Sequence, residues 1–315
     1  MPSKIITAIP VFNGERFIAH TIESVLKARM DHHRIVVFDN ASTDRTLEVL
    51  RSFGDDVDVI GRESNAGMVP NLNQCVAQGS SADFLHLLMA DDEVAPEFYR
   101  QLVTAMVETN ADIGFTDHYQ MDAKGVRLGT MHCRLPAQVT WQDYVKSMLE
   151  NDHPYLCSTL YRTRYRPLPY EFEDLKQSDH LFMSMIAHSS RRTIPHLQSA
   201  LCGQRLHPFS ASARNKFDVK AVVVSEFEVA KRMQSLTPST TKDRFRLVLQ
   251  HACRAELRRQ VLKLDGQSSE ELERWVARTF SLPIVVASRL ILLMDNTYRR
   301  IKKQHTRAES ILLNK

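Results

Sequence analysis

No two of the five cysteines, Cys75, Cys133, Cys157, Cys202 and Cys253, stand in a CxxC pair, and their number is odd. That excludes a zinc knuckle and a disulfide framework, and it points to a reducing compartment. Long apolar runs are missing as well. The uncharged stretch Thr279–Ser288 is about half of the ~20 residues that a membrane span needs, and Arg289 separates it from the next apolar residues. The opening MPSKIITAIPVF returns to polar residues too early for a signal peptide. A cytoplasmic protein, held at most on the inner face of the plasma membrane, is therefore expected. There is no internal repeat and no low-complexity tract. What is present is ordinary for a soluble globular chain, 43% hydrophobic and 25% charged residues. Its 315 residues leave room for one catalytic-sized domain and an appendage.

The net charge of +4 is unevenly placed. From Arg289 onward the chain carries Arg289, Arg299, Arg300, Lys302, Lys303, Arg307 and Lys315 against only Asp295 and Glu309. A basic run of this kind is either a solvated helix face or a contact for a polyanion. An apolar segment followed by Tyr298 and the basic cluster also has the composition of an interfacial helix, so 279–303 is expected either to touch an anionic membrane or to pack on the rest of the protein. No nucleic-acid partner is expected.

Up to residue 110, short β-branched runs alternate with helical patterns. IITAIPVF (5–12), RIVVFD (34–39), VDVIG and ADFLHLLMA (82–90) read as strands, and the segments between them show helical spacing. Such alternation implies βαβ crossovers and a mainly parallel sheet. Ligands bind such sheets at the carboxyl ends of the strands. Three polar clusters fall there: Pro10-Val11-Phe12-Asn13, Asp39-Asn40 and Asp91-Asp92. Further on the pattern loosens, with a hairpin turn at Lys124-Gly125, a helix led by Ser178-Asp179, and a helical region from Asp218 with a break at SLTPSTT (235–241).

In FLHLLMADDEV a buried run ends in two adjacent acids, Asp91 and Asp92. At ~5 Å and an effective dielectric of ~20 they repel by roughly 3 kcal/mol. One reading is a cap for the helix in EVAPEFYRQLVTAMVE; the other is a cation or ligand site. The His32-His33 pair is expected on the surface.

The phrases IPVFNGERFIAHTIESVL, VVFDNASTDRT, SNAGMVPNLNQCVAQGSSADFLHLLMADD and FEDLKQSDHLFMSMIA come one after another in that order. Together they resemble the inverting family 2 glycosyltransferases of GT-A fold, over residues 4–215. The resemblance implies an α/β nucleotide-diphospho-sugar transferase fold with a mainly parallel central sheet flanked by helices. Residues 1–217 would form the transferase domain (1–110 the nucleotide-sugar half, 111–217 the acceptor half), and 218–315 a basic helical extension.

By the same resemblance Pro10, Phe12, Asn13 and Glu15 belong to the first nucleotide-side turn, with Phe12 where relatives carry Tyr. Asp39 would accept a hydrogen bond from the base, as a carboxylate can from an imide N–H. Asn40, Ser42 and Asp44 share its motif, and Ser42 and Asp44 would build the turn and cap the next helix. Asn65, Gly67 and Asn71 match a further nucleotide-side segment. Asp91 would hold the ribose, and Asp92 a Mn²⁺ or Mg²⁺ ion bridging the diphosphate, an oxygen-rich setting that suits these ions. Many relatives have another acid at Met89. Asp179 matches the general base, with Ser178 replacing a Glu and Asp174 as the alternative. Arg205 and His207 would approach the diphosphate, His207 as a second metal ligand.

The function implied is a metal-dependent hexosyltransferase that moves a sugar from a nucleoside-diphosphate sugar, UDP-sugar favoured, to a glycan or lipid-linked glycan of a bacterial surface polysaccharide. A phosphatase of the haloacid dehalogenase type needs an acid two residues after Asp39, where Ala41 stands. An inactive nucleotide-binding or scaffold relative remains the alternative.

Overall fold

The computed structural model describes residues 3–150, 153–164, 168, 170–175, 177–210, 219–264 and 269–294. The chain divides into two compact units, Met1–Ala213 and Arg214–Lys315.

The first unit is organised by strand β1, Ile5–Val11, nearly all of whose residues are buried. A strand covered on both faces reads as a continuous apolar run, as IITAIPV does. β1 pairs in parallel with β2 (His33–Asp39) on one side and β4 (Phe84–Leu87) on the other. Outside β2 lies β3 (Asp58–Gly61), a short exposed edge. Helices α1 (Ile18–Ala28), α2 (Thr46–Arg51) and α3 (Met68–Ala77) make the crossovers. α1 packs Ile18, Ile22 and Val25 into the core.

Beyond β4 the parallel rule breaks. β9 (Thr159–Arg162) is inserted antiparallel between β4 and β6 (Ile113–Met121), and β10 (Ile194–Arg205) then runs parallel to β6. β5 (Glu93–Val94) closes the order β3-β2-β1-β4-β9-β6-β10-β5, while β7 (Arg127–Met131) and β8 (Gln138–Val139) pair with β6 and β10. Helices α4 (Phe98–Glu108), α5 (Trp141–Glu150) and α6 (Ser178–Ser190) complete the unit. The carboxyl ends of β1, β2, β4, β6 and β10 share one edge, since β9 is antiparallel to both of its neighbours.

Several expectations are corrected. The strand expected over 82–90 stops at Leu87; the Leu88 amide still reaches the Ala8 carbonyl, but that of Met89 turns to the Cys157 sulfur. Neither Asp91 nor Asp92 caps a helix, because α4 begins only at Phe98, after Glu97. His33 is buried, not on the surface: its Nε2 bonds the Thr7 hydroxyl at 2.8 Å, which also meets Tyr99 at 2.7 Å, and Tyr99 meets His86 at 2.8 Å. Burial first, then the nearby His86 and Arg29, pull the His33 pKa down to about 3. The hairpin turn is where it was expected, with Gly125 at φ 84°, in the left-handed region that favours glycine.

The second unit contains α7 (Val219–Leu236), α8 (Thr241–Leu264), α9 (Glu270–Thr279) and α10 (Leu282–Met294). The break at 235–241 ends in a reciprocal cap: the Thr240 hydroxyl accepts the Asp243 amide at 3.2 Å, and Asp243 accepts that of Thr240 at 2.9 Å. Val223, Ala255, Leu272, Val276 and Phe280 form its core. Among the described residues no helix is long and apolar enough to cross a membrane. The basic residues from Arg299 onward lie outside the described residues, as do Asp295 and Tyr298.

Candidate active site

Parallel register sets Val11 opposite Asp39 at the carboxyl edge, and the Asn40 amide bonds the Val11 carbonyl at 2.9 Å. Asp39 is 1% exposed. Its Oδ2 accepts the Ser42 amide at 3.1 Å, whereas its Oδ1 is buried with no partner among the described residues. Buried carboxylate oxygens normally have partners, so an orphan at a strand end marks a place where a ligand donor would fit. Phe12, next after Val11, is 41% exposed.

Most other nucleotide-side residues brace this corner. Asn40 donates to Asn65 Oδ1 and to the Gly67 carbonyl, both at 2.9 Å, and accepts the Ala66 amide at 3.0 Å. Gly67 has φ 92°. Asn71 holds the Phe38 carbonyl at 2.9 Å. Asn13 accepts the Thr43 amide at 2.8 Å, and Glu15 accepts that of Arg45 at 3.0 Å. Pro10 sits within β1. Asn13, Glu15 and Asn71, expected on the nucleotide, thus have polar groups engaged with the protein's own backbone.

The two acids face different surroundings. Asp91 Oδ2 lies 2.8 Å from His207 Nε2. Asp92 is 1% exposed; its Oδ1 accepts the Arg205 amide at 2.9 Å and its Oδ2 the Tyr155 hydroxyl at 2.7 Å. Burial, then the charge of Asp91, push the Asp92 pKa up to about 7, against the opposing hydrogen bonds from Arg205, Cys157 and Tyr155. The two acids thus differ in their protein partners: the acid that meets His207 is Asp91, and both oxygens of Asp92 are taken by Arg205 and Tyr155.

Arg205 is engaged with the protein as well. Its side chain is 4% exposed. Nε donates to the Asp91 carbonyl at 2.9 Å, one terminal nitrogen approaches the Asp122 carbonyl at 3.4 Å, and the other lies 3.8 Å from Glu93. It braces the turn from behind. His207 packs on Phe17 with ring centroids 4.6 Å apart, and its Nδ1 is buried without a partner among the described residues. Glu93 accepts a hydrogen bond from Tyr119 and meets His20. Gly203 makes room for this packing, since a Cβ there would stand 2.5 Å from the Tyr119 ring.

Asp179 lies in the first turn of α6, half-buried, and makes no hydrogen bond or ion pair among the described residues. The preceding Gln177 is left-handed at φ 62° and no side chain caps the helix, so Asp179 is not consumed as a cap. Asp174 is exposed in the segment before it. Sequence reasoning missed Tyr155 and the histidines near it: His118 lies 5.1 Å from Tyr155 between centroids, and His153 lies 3.9 Å from His180. No local pattern marks them, because their partners are distant along the chain. Among the described residues no three His, Cys, Asp or Glu side chains gather closely enough to hold a metal by themselves.

The model of the glycosyl transferase family 2 matches residues 7–189. The chain belongs to glycosyl transferase family 2. Among curated relatives of this family 2 chain, the teichuronic acid biosynthesis glycosyltransferase TuaG of Bacillus subtilis is 26% identical over 145 residues, 44% of this chain and 56% of TuaG. The chain spans about half the length of the curated relatives it matches. S. aureus TarS 1-349 in complex with UDP aligns with a TM-score of 0.57 at 18% identity, over 80% of this chain and 71% of that one. The mannosyltransferase PcManGT from Pyrobaculum calidifontis, in complex with GDP-Man and Mn²⁺, aligns with a TM-score of 0.57 at 15% identity, over 96% and 84%. These likenesses establish the fold, the GT-A class expected of a family 2 member.

Proposed function

We propose that the protein is an inverting glycosyltransferase that takes a sugar from a nucleoside-diphosphate sugar, UDP-sugar favoured, and delivers it to a hydroxyl of a glycan or lipid-linked glycan in the synthesis of a cell-surface polymer. The observation that carries this reading is the orphan Oδ1 of buried Asp39 at the same sheet edge as the Asp91–His207 pair. A uracil imide N–H suits the first, and a diphosphate suits the surroundings of the second. The surface-polymer setting is supported by the name of TuaG, and the donor class by the nucleotides in the complexes of TarS and PcManGT.

Asp91 and His207 would hold a Mn²⁺ or Mg²⁺ ion. One carboxylate and one imidazole make a donor set that fits such an ion when diphosphate and water oxygens complete it. The chemistry supplied by an ion held there would be to offset charge on the leaving diphosphate. Asp92, with both oxygens engaged, positions Asp91 and does not ligate. Asp179 takes the proton from the acceptor hydroxyl as that oxygen attacks the anomeric carbon and the bond from that carbon to the diphosphate oxygen breaks, its electron pair leaving with the nucleoside diphosphate.

Titration of UDP and GDP with and without Mn²⁺ by calorimetry tests the donor reading, together with transfer assays over sugar nucleotides and acceptors. Binding of neither nucleotide would sink it, and nucleotide binding without turnover or transfer would favour a scaffold instead. For 279–303, the exposure of Leu282 (75%) and Val286 on α10 supports a peripheral contact with anionic membrane. Liposome flotation equal with and without that segment counts against it.

A further inference from the structure

Besides the metal ion proposed at Asp91 and His207, a diphosphate calls for a side-chain cation, and the obvious one is spent. Arg205 directs its guanidinium at the Asp91 and Asp122 carbonyls and at Glu93, and its side chain is almost fully buried. The carboxylate of Asp91 adds negative charge where the phosphates would lie. His207 already faces Asp91.

Arg16 has the opposite character. It is exposed and makes no ion pair among the described residues, while the neighbouring Glu15 is turned toward Arg45. Its guanidinium carbon stands 5.0 Å from the centre of the Phe209 ring, two residues beyond His207. The Gly14–Phe17 turn runs directly into α1, since the Ile18 amide bonds the Gly14 carbonyl at 3.0 Å and that of Thr21 bonds Phe17 at 3.1 Å. Arg16 therefore lies one turn before His20, and residues four apart in a helix are neighbours on its surface. His20 meets Glu93, Phe17 packs on His207, and Thr21 bonds the Ala90 and Asp92 carbonyls at 3.0 and 2.7 Å. This end of α1 thus lies along the turn that carries Asp91, with Arg16 at its outer tip. Stacking on an aromatic face leaves the edge of a guanidinium free to bond two phosphate oxygens.

We propose that Arg16, stacked on Phe209, is the guanidinium that grips the diphosphate of the donor, the role that Arg205 is too deeply engaged to fill. The proposal rests on the nucleotide-sugar reading above and adds a residue to it.

The test compares UDP with uridine in EDTA, UDP by calorimetry and uridine by ligand-observed NMR, so that neither a metal nor turnover enters the readout. Arg16→Ala is expected to raise the Kd for UDP about 10- to 100-fold, as loss of a charge-assisted hydrogen bond does, and to leave uridine unchanged. Arg16→Lys should recover part of the loss, and Phe209→Ala should show a smaller one with the same selectivity. An Arg16→Ala protein that binds UDP within about twofold of wild type, or that loses uridine equally, overturns the assignment. Failure of the wild type to bind UDP or uridine both in EDTA and with Mn²⁺ restored overturns the donor reading itself, a separate result.

Discussion

The Tyr155 hydroxyl donates to Asp92 Oδ2 at 2.7 Å across 63 residues of sequence. Through that bond the turn after β4 is fixed to the segment that leads into β9. Tyr155→Phe removes the donor and leaves a buried carboxylate oxygen without it, at a cost of about 1–3 kcal/mol. Chemical denaturation should register the loss, and Val107→Ala, at an exposed position of α4, should be near neutral.

The same carboxyl predicts a pH dependence. Its folded pKa, about 7, lies above the ordinary value of 3.8. Between those values the folded protein binds more protons than the unfolded chain, so this group's contribution is fully present at low pH and is lost as pH rises toward and through 7. Tyr155→Phe, by removing a bond that favours the ionised form, should move the upper end of that decline to higher pH. Asp92→Asn should flatten it, as read from denaturation midpoints in EDTA across pH 4 to 8.

For Asp39, replacement by Asn exchanges the carboxylate for an amide where the proposed ligand donor needs an acceptor. UDP and uridine should both weaken by about 10-fold or more, with little change in stability, because the lost oxygen has no protein partner among the described residues. Equal affinity in wild type and variant would remove Asp39 from the base site.

Asp179→Asn should lower kcat by about 10²- to 10⁴-fold while UDP binding stays intact. Asp174→Asn serves as the comparison and should be near neutral. The reverse pattern would transfer the role of base to Asp174.

Gly203→Ala inserts a methyl group 2.5 Å from Tyr119 and 2.9 Å from Glu93. Overpacking of this kind costs about 1–3 kcal/mol. Tm should fall accordingly, and Tyr119→Leu in the same chain should recover part of the loss.

Local patterns revealed what local forces determine. The apolar runs at 5–12 and 34–39 became the paired strands β1 and β2, the Lys124-Gly125 turn formed, and Asp39 lies at a strand end. The antiparallel insertion of β9 was not legible, since it depends on contacts between segments far apart in the chain. The different surroundings of Asp91 and Asp92 were hidden for the same reason. Adjacent and identical in the sequence, they are told apart by residues more than 100 positions away, Arg205 and His207, and by Tyr155. His33 follows an exposed, left-handed His32 that lies outside the strand, and as the first residue of β2 it reaches the buried Thr7 of the neighbouring strand.

Arg205 holds both acids at once, Asp92 through its backbone amide and Asp91 through its side chain. Changes at the two positions are therefore not independent. Removing Asp92 shifts the peptide that carries Asp91, so the two losses should fall short of their sum in a double variant. The pair is better understood as one mechanical unit, clamped by the residue that ends β10.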